Sequence, residues 1–155
     1  SCSIGKGLYL LMAGSDDPVQ ILEEDMGIIS YDPNNYYPVT ANTYGKGSVI
    51  VSVDANYIFN SPVKSSEVQN ASINGVIAWA NPYKQEPGVW IERLSKDEKQ
   101  KIFDAPAEMP VFNAHGDLFF ISNGQLYFAQ QPSYDAPVSL GNVTGSYPNS
   151  AWVQP

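Results

Sequence analysis

Short runs of apolar and aromatic residues, each introduced by a glycine, recur along the chain as Gly7-Leu8-Tyr9-Leu10, Gly47-Ser48-Val49-Ile50-Val51, Gly88-Val89-Trp90-Ile91 and Gly124-Gln125-Leu126-Tyr127-Phe128. Their glycines stand 40, 41 and 36 residues apart. Each run leads through polar residues into a second apolar patch. These patches are Val19 to Leu22 after Ser15-Asp16-Asp17, Tyr57-Ile58-Phe59 after Asp54-Ala55-Asn56, Ile102-Phe103 after Ser95-Lys96-Asp97-Glu98, and Val138 to Leu140 after Pro132-Ser133-Tyr134-Asp135. A further stretch then ends in turn residues: Ile28-Ile29-Ser30-Tyr31 before Asp32-Pro33-Asn34-Asn35, Val68 to Ile73 before Asn74-Gly75, and Val111-Phe112-Asn113 before His115-Gly116. The period closes on Tyr37-Pro38-Val39, Val76-Ile77-Ala78-Trp79 and Leu118-Phe119-Phe120-Ile121. The runs are β-branched and aromatic and mostly too short for helices. Asn, Asp, Gly and Pro at the junctions suit the positive or fixed φ of hairpin turns. One period therefore predicts four antiparallel strands. The best helical window, Ser65 to Ala80, is interrupted by Asn74-Gly75 and reads as two strands and a turn.

A four-stranded sheet that repeats about every forty residues cannot cover both of its faces alone, so neighbouring copies must stack. Such units are the blades of a β-propeller. Here Tyr31-Asp32-Pro33-Asn34 with Tyr37-Pro38-Val39, Ile73-Asn74-Gly75 with Ile77-Ala78-Trp79, and Ala114-His115-Gly116 with Leu118-Phe119-Phe120 resemble the degenerate blade boxes of TolB-type and WD-type propellers. The resemblance implies an all-β fold of about four antiparallel four-stranded blades, with residues 1–155 as a single domain or as a fragment of a larger propeller. No box is intact, so it carries over no functional residue. The segment Ser150-Ala151-Trp152-Val153 looks like a first strand, and the chain opens near a third. Residues 145–155 and 1–24 are then expected to share one closing blade, and that closure would remove open sheet edges. Two chains pairing into a larger ring, or a β-sandwich with the same strand repeat, are the other outcomes. A separate resemblance, over residues 44–80, is to an amidotransferase-like α/β domain. It rests on Tyr44 to Asp54 followed by Ser65 to Trp79, and it implies a helix in the second part.

Composition narrows the function more than the fold. The 155 residues are 43% hydrophobic and 12% aromatic, enough for a real core. Eight scattered Lys and Arg against sixteen acids give a net charge of −8, which argues against nucleic acid and against an anionic membrane surface. No apolar stretch approaches the roughly 18 residues of a membrane span. Few charges and many Tyr, Asn and Ser lead us to expect an extracytoplasmic location, periplasmic, cell-surface or secreted. A single cysteine, Cys2, excludes an internal disulfide. It is either a lipid-bearing cysteine or an unmodified residue of a first strand; a processed lipoprotein would begin at the cysteine, which favours the second.

Candidate chemistry is sparse. His115 lies beside Asp117, half of an acid–base pair, but no Gly-x-Ser-x-Gly elbow accompanies it and a turn residue is the simpler reading. Gly5-Lys6-Gly7 and Gly45-Lys46-Gly47 lack the spacing of a phosphate loop. Asp16-Asp17, Glu23-Glu24-Asp25 and Asp97-Glu98 fit no calcium loop. Asn70-Ala71-Ser72 and Asn142-Val143-Thr144 match the glycosylation acceptor pattern. No catalytic residue, metal ligand or cofactor is assigned. In a propeller, loops between second and third strands share a face with those leading to the next blade, which brings Glu23, Glu24, Tyr44, Lys46, Tyr83 and Tyr147 to one rim. Tyrosine there offers area and a polar tip at little entropic cost. The expected function is a non-catalytic binding or scaffold module for a protein or glycan partner. The alternative is a carbohydrate-active hydrolase or lyase with carboxylates from several blades.

Overall fold

The computed structural model describes residues 6–11, 14, 16–23, 26–31, 39–43, 47–51, 58–65, 67–93 and 96–143. Among them are fourteen strands in four antiparallel sheets and no helix. The first sheet pairs β1 (Leu8–Leu10) with β2 (Val19–Leu22). The second runs in chain order through β3 (Met26–Tyr31), β4 (Val39–Thr43), β5 (Gly47–Val51) and β6 (Ile58–Asn60). The third takes β7 (Gln69–Ile73), β8 (Val76–Asn81), β9 (Gly88–Arg93) and β10 (Lys96–Phe103), and the fourth β11 (Glu108–Phe112), β12 (Leu118–Ser122), β13 (Gln125–Ala129) and β14 (Val138–Asn142). Each four-stranded sheet is thus a plain meander, and the glycine-led runs at 47, 88 and 124 supply its third strand.

Two of the hairpins follow directly from their turn residues. Asn74-Gly75 and Asn123-Gly124 all have positive φ, the backbone of the tight two-residue turn whose twist matches paired strands. The first of these turns joins β7 to β8, so residues 69–81 form a hairpin where the α/β resemblance implied a helix. Asn-Gly in mid-segment decides the matter locally.

Two expectations are corrected. Lys96-Asp97-Glu98 was expected in a turn before a short strand at Ile102-Phe103, but β10 already begins at Lys96. It is an edge strand with irregular register between Lys96 and Lys99 and again between Lys101 and Phe103. Charges and bulges are how an exposed sheet edge avoids pairing with another chain, so a polar sequence is compatible with a strand there. The glycines are also not all equivalent. At Gly47 and Gly88, φ is +99° and +151°, and a Cβ would lie 2.6 Å from the carbonyl oxygens of Val63 and Phe103 respectively. Only glycine lets the chain entering the third strand pass so close to the backbone at or just beyond the end of the fourth. Gly124 has open space around it and serves a turn instead, which is why its spacing is short.

The third sheet is packed on both faces, and its alternation shows how. Ile77, Trp79 and Trp90 join Ile50, Val63 and Val68 in one buried cluster, with Phe59 against it. Ala78, Ala80, Val89 and Ile91 point the other way, into a cluster with Ile102, Leu118, Phe120, Ala129 and Tyr134. Successive residues of β8 and β9 therefore serve the preceding and following sheets in turn. Small Ala78 and Ala80 face the fourth sheet's large Phe120, which stacks on Tyr127 at 5.4 Å and meets Phe103 edge-on at 5.0 Å. Each fully buried Ile, Leu or Phe contributes about 1.5–3 kcal/mol. One charge is buried with them. Glu92, 8% exposed, accepts the Trp79 indole N–H at 2.9 Å and pairs with Lys99 at 2.9 Å, so its desolvation is offset on both oxygens.

The fourth sheet approaches the third most closely through its first strand. β11 runs against β7 and β8, and the Met109 amide donates to Gln69 Oε1 at 2.5 Å.

Candidate functional site

At one end of the third sheet, β8 finishes in Asn81, only 1% exposed. Its amide nitrogen donates to the carbonyls of Gln85 and Glu86, both at 2.9 Å, and its Oδ1 accepts the Tyr83 amide at 3.2 Å. One side chain thus organises the whole 82–87 loop. Glu86 takes a φ of +50° to make the return into β9. The Asn81 carbonyl in turn accepts the Ala107 amide at 3.0 Å, tying in the connector to the fourth sheet, and Ser122 binds that same connector through the Pro106 carbonyl at 2.7 Å.

The connector between β6 and β7 forms the facing wall. Ser61 Oγ donates to the Val63 carbonyl at 2.7 Å and accepts the Ser48 amide at 3.1 Å, while buried Ser48 Oγ donates to the Val68 carbonyl at 2.6 Å. The Glu67 amide is held by Ser65 Oγ at 3.3 Å. Between connector and loop lies a cleft of about 360 Å³, lined by Val63, Lys64, Ser65, Glu67, Asn81, Tyr83, Gln85 and Glu86. That volume falls in the range of small-ligand sites.

Tyr83 is 47% exposed at the cleft. Its phenol is raised from the ordinary value of 10.0, first by loss of surrounding water and then by the nearby Glu67 carboxylate, which disfavours a phenolate.

Of the residues expected on one rim, Tyr83 lines this cleft, and Glu23 is exposed just after β2. Glu24, Tyr44, Lys46 and Tyr147 lie outside the described residues. Sequence reasoning missed Glu67, Gln85, Glu86, Lys64 and the organising Asn81. A signal for the loop was present: six residues separate β8 from β9, where Asn123-Gly124 suffices between β12 and β13.

The opposite end holds His115. Asn113 Oδ1 accepts the amides of His115 and Asp117 at 3.0 and 2.9 Å, and the Asp117 carboxylate accepts from Asn113 Nδ2 at 3.1 Å and from the Gln131 amide at 3.2 Å. Both Asp117 oxygens thus serve the turn. Asn70 of the first glycosylation triplet is half-buried within β7. Among the described residues no group of three or more His, Cys, Asp or Glu is placed to hold a metal ion. No helix among them is long and apolar enough to cross a membrane. Comparison of the chain with protein-family models, curated proteins and solved structures returns no match.

Proposed function

We propose that the chain is an extracytoplasmic binding module of β-propeller type, and that the cleft between residues 63–67 and 81–86 receives a protein or glycan partner. The propeller reading is supported by three meanders in chain order, by the use of both faces of the third sheet, and by the close approach of the first strands of the third and fourth sheets. The observation that carries the binding reading is the cleft itself. One wall is the connector between the second and third sheets, the other a loop of the third sheet that Asn81 holds through three hydrogen bonds. A preorganised site loses less entropy on binding than a loose loop. On arrays of glycans and peptides, the intact chain is expected to retain at least one class, and a Tyr83→Ala, Glu67→Ala double variant to lose it. Equal retention by both proteins would contradict the reading.

The rival is a carbohydrate-active hydrolase or lyase. It draws on Glu67 and Glu86 lining one cleft, since such enzymes work with two carboxylates. It requires bond cleavage in any glycan the protein retains, abolished by Glu67→Gln or Glu86→Gln.

A further inference from the structure

We propose that the cleft's occupant is a neutral sugar ring of a glycan, with Tyr83 as its platform and Glu67, Gln85 and Glu86 as partners for its hydroxyls. This inference rests on the binding-module reading above and names the ligand class for that site.

The lining decides among chemistries. Apolar surface comes from Val63 and the Tyr83 ring; the remaining side chains are carboxylate, amide, hydroxyl or ammonium. An apolar ligand would strand those polar groups without partners, at a cost for each one buried. Phosphate, sulfate or a uronic acid would face two carboxylates against the single ammonium of Lys64. A cationic side chain would meet that same ammonium, and the amide and hydroxyl groups of the lining would gain nothing from its charge.

A sugar ring meets none of these objections. Each hydroxyl both donates and accepts, so it satisfies carboxylate acceptors and amide or ammonium donors in one geometry. The C–H face of the ring needs a flat, exposed aromatic surface beside those polar groups, which Tyr83 provides at 47% exposure. Asn81 has no amide hydrogen left to donate to a ligand, because both are committed to Gln85 and Glu86, and its oxygen already accepts from Tyr83. It is a positioning residue, and it presents Gln85 and Glu86 in a fixed relation to the ring.

The test is an NMR titration of the full chain, following backbone amides. The neutral probes are maltotetraose, cellotetraose and chitotetraose; tetralysine and tetragalacturonate are the charged ones. At least one neutral probe is expected to shift the amides of Glu67, Tyr83 and Gln85 saturably. Tyr83→Ala should weaken that binding about tenfold or more, as loss of an aromatic anchor does. The Trp79 indole N–H resonance, a marker of the buried sheet interface, should stay in place in that variant. Gln85→Ala provides a second, milder loss if Tyr83→Ala disturbs the loop. Saturable shifts with tetralysine or tetragalacturonate alone would overturn the sugar assignment and leave the binding site standing. No shift with any probe would also overturn it, and the array experiment then decides separately whether the cleft binds a partner at all.

Discussion

Tyr134 shows how much one side chain can tie together. Only 3% exposed, it donates its hydroxyl to the Gly116 carbonyl at 2.7 Å, meets Phe112 edge-on at 6.2 Å, and carries the Arg93 guanidinium 5.6 Å from its ring centre. Arg93 also donates to the Pro132 carbonyl, so the third and fourth sheets are joined at this end. Burial raises the Tyr134 phenol above 10.0 and Asp117 adds to that, with Arg93 opposing. The folded state therefore prefers the neutral phenol more than the unfolded chain does. This contribution to stability is complete below the unfolded value of 10.0 and is lost as pH rises through the folded one. Urea denaturation from pH 9 upward should show declining stability. Tyr134→Phe should flatten that decline and cost about 1 kcal/mol at neutral pH through the lost hydrogen bond. An unchanged alkaline slope would contradict the assignment. In the sequence this residue sits in Pro132-Ser133-Tyr134-Asp135, indistinguishable from a solvated turn. Its burial depends on Arg93 and Gly116, which no local pattern connects to it.

At the scale of elements, the strands were legible because their signals are local. Short β-branched and aromatic runs mark the strands of hairpins β7–β8 and β12–β13, and Asn74-Gly75 marks the first turn, without reference to the rest of the chain. Edge strand β10 escaped that reading because its first residues, Lys96-Asp97-Glu98, are charged and carry no apolar signal for the pattern to detect. The glycine at the start of a third strand is legible as a repeat, while its cause is tertiary: backbone beyond the fourth strand passes too near for a side chain. Gly88→Ala should accordingly cost distinctly more stability than Gly124→Ala. The first adds a Cβ 2.6 Å from the Phe103 carbonyl oxygen, and the second adds about 1 kcal/mol of backbone strain in open space. Thermal unfolding of the two variants decides it, and equal losses would mean that close approach at Gly88 is not what selects glycine.

At the scale of the molecule, sheets stacked on sheets bury the core. The third sheet contributes Trp79 and Ile77 to one neighbour and Ala78 and Ala80 to the other, and the cleft exists because a connector between sheets comes to lie beside a loop within one. The forty-residue period foretold that sheets would pack on sheets. It did not foretell that Glu67 and Glu86 would share a cavity, since that depends on how the connector between sheets lies against the β8–β9 loop. The most direct test is a set of side-chain NOEs measured in solution. Trp79 ring protons should connect to methyls of Ile50, Val63 or Val68, while the Ala78 and Ala80 methyls connect to Leu118 or Phe120. Trp79 and Ala78 sharing the same partners, or continuous helical amide contacts from residue 65 to 80, would contradict the stacked-sheet account.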